Sequence, residues 1–421
     1  LYLTTTIMNQ VPNTTPSTSR KTVWLTILVA SLGYFVDIYD LLLFLIIRIQ
    51  SLNGIGITAS DEVEYYGQLL IDIQMIGLLL GGLLWGVLGD KRGRLSVLFG
   101  SILIYSFANI ANGFVTNVTQ YAILRFIAGI GLAGELGAGI TLVNEVMSKK
   151  NRGYGVTIVA TVGLLGAVVA SLVGDQFDWR IAFFVGGGMG LLLLALRIGV
   201  AESGLFRQSK HVSGVKLGSL KLLFSNKQRL AKYIYCILGT VPVWYVVGLL
   251  VAFCKEFGEQ LGMERIPTPG WAILYCYIGL SIGDMLSGLL SQWLRSRKKV
   301  QYIFIIASAI LSGIFLFNTF SLEVFYGLCF VLGIFSGYWV ISITSASEQF
   351  GTNLRATVTT SVPNFVRGSL VLVHMGYFAL KGPLGMIYSA AVIGLICFVV
   401  AYFSVTQLEE TFGRDLNYFE E

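Results

Sequence analysis

A chain of 421 residues with 55% in the hydrophobic set and only 12% charged, at a mean hydropathy of +0.75, is excluded from the soluble globular class, whose domains carry about 25% charged residues. Its 49 glycines against 7 prolines, with 13% aromatics, suit membrane helices, where Gly lets backbones approach closely and Trp and Tyr mark the interfaces. The formal charge of +6 is spread over short loops rather than gathered in one patch, so no nucleic-acid partner is expected.

In chain order, a polar segment over residues 1–22 is read as a cytoplasmic tail with no cleavable signal, leading straight into an apolar run. Runs of about 20 apolar residues cross the hydrocarbon core of a bilayer, and they recur here at 23–47, 66–88, 95–114, 119–147, 153–174, 180–198, 232–254, 271–291, 300–317, 323–347, 356–378 and 384–406. The chain is thus predicted to be an all-α membrane protein of twelve transmembrane helices in two six-helix halves, 23–198 and 232–406. A central cytoplasmic loop over 199–231 separates them, and 407–421 is a cytoplasmic C-terminal tail. Cys236, Cys254, Cys276, Cys329 and Cys397 lie in or beside apolar runs without CxxC spacing or histidine neighbours. They read as packing residues, and neither a metal site nor any other cofactor is implied.

Lys and Arg are divided unequally between the two sets of loops. Only Arg48, Arg180, Lys255, Arg265 and Lys381 fall on the side opposite the termini, while the tails, the loops after even-numbered spans and the central loop collect most of the remainder. The positive-inside rule then places both termini in the cytoplasm, with a bacterial inner membrane as the expected location and the lipid bilayer as surroundings. The halves also repeat. Gly77, Gly81 and Gly86 recur as Gly279, Gly283 and Gly288 at an offset of 202, and Glu145 and Arg152 recur as Glu348 and Arg355 at an offset of 203. Two matches at nearly one offset indicate duplication, the plan of transporters whose substrate site lies between two halves.

The loop after the second span carries Gly86, Asp90, Lys91, Gly93 and Arg94 in the pattern G-x-x-x-D-[RK]-x-G-[RK], and here the chain resembles the major facilitator superfamily. Its second-half counterpart, Gly288 to Lys298, has Gln292 in place of the acid. Arg125, Gly129, Gly131, Gly134 and Glu135 on the fourth span, and Tyr34, Asp37, Tyr39 and Asp40 on the first, are similar to the sugar-porter, phosphate:proton and metabolite:proton symporter branches. The resemblance implies that Arg125 pairs with a first-span carboxylate and that Glu135 stands where phosphate symporters keep an acid near substrate and proton. It also implies that Asp90, Arg94, Glu145, Arg152, Glu348 and Arg355 form charge contacts at the cytoplasmic helix ends that gate the inner side, against the plainer reading of solvated loop charges.

An ionised group in mid-membrane costs about 2.5–3.5 kcal/mol on insertion scales, which makes each one a functional candidate. Asp37 and Asp40, three apart on one helix with Tyr34 on the same stripe, cannot both ionise freely in low dielectric, which is the property of a proton site. The competing reading is a static ion pair between the first and fourth spans. On the eleventh span Thr360, Asn364, Arg367, Val371 and His374 fall on one face. Arg367 can hold an anion bidentately or serve a structural pair, and His374 is either a satisfied histidine or a relay. Asp284 is a further acid. Trp244 and Tyr245 after Pro242, Tyr338 and Trp339 after Gly337, and Gln74 are the candidate pocket walls, although aromatic stripes are more often packing.

The function expected is secondary active transport without enzymatic chemistry: proton-coupled symport of a small polar metabolite, an organic anion above all, by alternating access in a functional monomer. A neutral sugar or polyol carrier is the alternative within the fold, followed by a facilitative uniporter or an exporter. A channel would need a repeated filter or charged ring. A membrane enzyme would need a metal or nucleophile cluster that His211 and His374, the two histidines, do not provide.

Overall fold

The computed structural model describes residues 20–413 except 93, 138, 140–142, 144–146, 148–151 and 203–219. Nine helical runs among the described residues are long and apolar enough to cross a membrane. One of these, Thr357–Gln407, has 51 residues, about 76 Å if straight, far more than the roughly 30 Å hydrocarbon core. It folds back at Gly385, whose φ of 75° and ψ of 171° lie where L-residues with a side chain are strained. The eleventh and twelfth spans therefore meet there. The third and fourth spans are the shorter helices Arg94–Asn112 and Val118–Leu132, and the twelve-helix fold in two halves is complete.

The remaining spans run Arg20–Gly54 (first), Ser60–Arg92 (second), Arg152–Gln176 (fifth), Trp179–Glu202 (sixth), Pro269–Leu294 (eighth) and Arg297–Phe317 (ninth). Two spans are broken. The seventh consists of Lys227–Leu238, Val241–Trp244, a π-helical stretch Tyr245–Val251 and Cys254–Gln260. Pro242, which has no N–H to donate, sits in the first turn after the break, where none is needed. The tenth span, Leu322–Ser336 and Trp339–Glu348, is interrupted at Gly337 and Tyr338. Its restart is capped from outside, because the Val340 N–H donates to Asp284 Oδ1 at 3.1 Å.

The internal repeat is visible in the packing. A Cβ at Gly77 or Gly81 would collide with the main chain of the fourth span at Phe126 and Ile130, and one at Gly279 or Gly283 with the tenth at Phe330 and Ile334. These glycines bring the second span against the fourth and the eighth against the tenth, the close approach that membrane packing relies on. The fifth span approaches the first at Gly163 and Gly166 beside Tyr34 and Phe35. Between halves, the eighth span packs on the fifth and the eleventh on the second. The first span, buried along most of its length, lies at the centre of the bundle.

Candidate functional site

Asp37 stands halfway along the first span, about 26 Å from either end at 1.5 Å per residue. Three residues on a helix turn through 300°, so Asp37 and Asp40 diverge by about 60° and meet different neighbours. Asp37 points across the molecular divide: Arg367 Nη2 donates to its Oδ2 at 3.3 Å, joining the first span to the eleventh. Asp40 stays within its own half, beside Asn109 of the third span and in the field of Arg125 of the fourth. All four charged side chains are buried, at 0% or 1% exposure, so each charge needs compensation from another. The result is two opposite-charge pairs side by side, one internal to the first half and one spanning both.

Arg125 is held by Gln74 Oε1, to which its Nη2 donates, and its guanidinium lies over the rings of Phe44 and Phe183 at 5.1 and 5.7 Å. Neither guanidinium is fully engaged: Arg125 Nε and Nη1 and both Asp40 carboxylate oxygens have no hydrogen-bond partner among the described residues. The same holds for Arg367 Nε and Asp37 Oδ1. Tyr34 and Tyr277 lie in the field of the Asp37/Arg367 pair, and Trp339 of the other half lies near Tyr34. The sequence reading made Arg125 the partner of the first-span acids as a pair; the structure gives Asp37 a separate cation.

The polar stripe of the eleventh span faces the first half throughout. Asn364 Nδ2 donates to the Ala133 carbonyl of the fourth span at 3.0 Å, and His374 Nδ1 meets Asp72 Oδ1 of the second at 2.6 Å while its Nε2 lies 3.2 Å from the Gly248 carbonyl. Glu135 does not join the central pairs. Arg197 of the sixth span grips it at 2.7 and 3.0 Å, and the Ser101 hydroxyl donates to it at 2.7 Å. Tyr245 turns away from the centre and donates to the Ala390 carbonyl of the twelfth span at 2.8 Å. Tyr338 donates to the Gly239 carbonyl at 3.3 Å across the seventh-span break, and Trp244 is buried on a segment packed against the eleventh and twelfth spans. Of the aromatic candidates, Trp339 and Tyr34 approach the charges.

Toward the face opposite the termini, two ion pairs and, deeper in the bundle, one histidine–carboxylate contact join the halves. Arg48 Nη2 donates to Glu256 at 2.6 Å, Asp72 meets His374, and Lys381 pairs with Glu64. Arg48 and Asp72 were not singled out from sequence, although each lies at or within an apolar run, the signal that marked Asp37. At the face that carries the termini, Glu348 pairs with Arg297 at 3.3 Å and accepts from Thr411 at 2.7 Å. Arg355 donates to the Ser347 and Phe350 carbonyls at 3.1 and 3.3 Å. These partners belong to the second half. Glu145 and the side chains of Asp90, Arg94 and Arg152 lie outside the described residues.

The family profile described as Major Facilitator Superfamily matches residues 23–373. The cis,cis-muconate transport protein of Acinetobacter baylyi is 26% identical over 93% of this chain and 94% of its own. The benzoate transport protein of the same organism is 24% identical over 79% of this chain and 78% of its own. Among solved structures, a major facilitator proton:xylose symporter bound to 6-bromo-6-deoxy-D-glucose superposes with a TM-score of 0.68 at 17% identity, over 94% of this chain and 98% of that one.

Proposed function

The chain belongs to the Major Facilitator Superfamily, and from that premise we propose that this transporter is a proton-coupled symporter of small organic anions, in particular planar carboxylates. It works by alternating access in a bacterial inner membrane with both termini cytoplasmic, as the loop charges favour. The observation that carries the reading is the buried quartet of Asp37, Asp40, Arg125 and Arg367 at mid-span. Two guanidinium groups there can recognise a carboxylate by its geometry, and two carboxyl groups can carry a proton. The substrates named for the two transport proteins, muconate and benzoate, share a carboxylate on a planar conjugated frame. Trp339, Tyr34 and Tyr277 supply aromatic surface beside Arg367 for such a frame.

The test is uptake by the purified protein in proteoliposomes, energised by an interior-alkaline pH gradient. Labelled benzoate or muconate should accumulate above the external concentration and leak away when a protonophore collapses the gradient. Accumulation of xylose with indifference to both carboxylates would replace the anion reading by the neutral sugar one. Carboxylate equilibration that a pH gradient cannot drive uphill would reduce the protein to a uniporter.

A further inference from the structure

We infer that Asp37 is a built-in stand-in for the substrate's carboxylate on Arg367, so that an anion reaches this guanidinium only as Asp37 takes up a proton. The inference rests on the anion-symport reading above and assigns the competing group within it. Arg367 and Asp37 touch through one hydrogen bond, at 3.3 Å, where charge-assisted contacts are ordinarily about 2.7–2.9 Å. Each retains an unpartnered atom, Nε on the arginine and Oδ1 on the aspartate. The guanidinium fork is therefore half used, and a free carboxylate that can adjust its position makes the bidentate contact that a helix-anchored one does not.

The location separates this pair from the other. Arg125 is fixed inside the first half by Gln74 and between two phenylalanine rings, so its surroundings are unchanged when the halves move as bodies. Arg367 and Asp37 belong to opposite halves, and their contact must stretch or break as the halves rock. Whatever holds Arg367 in the rocking transition must be carried along.

Charge counting gives the coupling. Two aspartates and two arginines sum to zero, and Glu135 with Arg197 forms a second neutral set. A monocarboxylate alone would leave the centre one charge negative, and a proton alone would leave Arg367 without its counterion. Only the two together restore zero, so the empty and fully loaded forms avoid the penalty of burying unpaired charge and the half-loaded forms bear it. The predicted stoichiometry is one proton per monocarboxylate. Asp37 is also faced by Tyr34 and Asp40 on its own helix, Tyr105 on the third span, Glu135 on the fourth and Tyr277 on the eighth. Arg367 is the one cation donating to it among the described residues. Of the acids, Glu135 is held by Arg197, and Asp40 lies in the field of an arginine of its own half, so Asp37 is the central carboxyl whose cation lies in the other half.

Calorimetric titration of the intact protein in nanodiscs with benzoate, between about pH 6 and about pH 8, where benzoate is ionised, tests this in buffers of different ionisation enthalpy. Apparent Kd scales inversely with the protonated fraction, so it should rise toward about tenfold per pH unit on the alkaline side, with one proton taken up per benzoate bound. Asp37→Asn should bind at the alkaline end as tightly as the wild type binds at the acid end, with no pH slope and no proton uptake. Asp40→Asn should keep the slope, whatever it does to transport. A wild-type proton count of zero with pH-independent affinity overturns the inference and leaves the anion reading standing, and it requires no variant to fold. A slope lost in Asp40→Asn and kept in Asp37→Asn also overturns it, while absence of benzoate and muconate binding at every pH removes the anion reading and the inference together.

Discussion

On the alternating-access proposal, closure at the face opposite the termini rests on a contact whose strength can be worked out. Arg48 is fully buried and Glu256 13% exposed, and their 2.6 Å bond is the arginine's one ion pair among the described residues. The guanidinium also lies 4.2 Å from the centre of the Phe253 ring, and a weaker contact runs to the Ala252 carbonyl at 3.5 Å. Glu256→Gln keeps the volume and an acceptor but strands a buried cation. Removing one partner of a buried pair costs about 3–5 kcal/mol, and slight exposure of the glutamate argues for the lower figure. About 3 kcal/mol shifts a two-state equilibrium roughly 150-fold, enough to turn a small open minority into the major form. The open form lets Arg48 reach water, whereas the closed one does not. Spin labels at Thr58→Cys, on the loop after the first span, and at Gln260→Cys, at the end of the seventh-span helix, should report a longer distance in Glu256→Gln than in the parent. Arg48→Met combined with Glu256→Gln should return the short distance, because an apolar replacement for both partners leaves no charge stranded. An unmoved distribution in a folded Glu256→Gln protein would refute the reasoning, as would a double variant that stays open.

Asp284 accepts from the Val340 amide in the first turn of the restarted tenth-span helix, so Asp284→Ala should lose a cap worth about 0.5–2 kcal/mol. Faster hydrogen exchange at Trp339 and Val340 with proton-driven uptake retained is the expected pair of results, and loss of coupling with unchanged exchange would make Asp284 a proton carrier instead. Beyond the twelfth span, burial pushes the Glu410 carboxyl up. The Ser296 hydroxyl and the amides of Arg297, Phe412 and Lys298 donate to it and hold it below the usual glutamate range. A value lower in the folded state gives stability that is present above the unfolded value and lost as pH falls through the folded one. Glu410→Gln should therefore melt earlier than the parent near neutral pH, with the two curves converging on acidification; parallel curves at all pH values would show that the carboxylate contributes nothing through its charge.

The spans and the internal repeat were readable because both follow from local rules. Bilayer thickness sets the length of an apolar run, and a glycine that admits another helix's backbone must sit at the same point in each half, as Gly77 and Gly279 do. A break near Pro242 was readable too, from a residue that interrupts a helix, whereas the one at Gly337 and Tyr338 was not. Nor were directions beyond the breaks. The π-helical stretch starting at Tyr245 changes the angle per residue, and Tyr245 lands on the twelfth span instead of facing the charges. Arg197 and Asp72 carried the same warning as Asp37, an ionisable group within an apolar run, and each proved to be the partner of a residue already singled out, Glu135 and His374.

Partner choice is the part that periodicity does not reach. A spacing of three places Asp37 and Asp40 on one face of a helix, yet the 60° between them is enough for one to see the fourth span and the other the eleventh. The distinction matters because a residue numbered within 23–198 and one within 232–406 belong to bodies that the repeat already separates. Opposite charges inside one body, such as Asp40 in the field of Arg125, can stay together through transport. Under the alternating-access proposal, an ion pair between bodies, such as Asp37 with Arg367, is remade in each cycle, and a contact that must be remade is where a proton and an anion can enter.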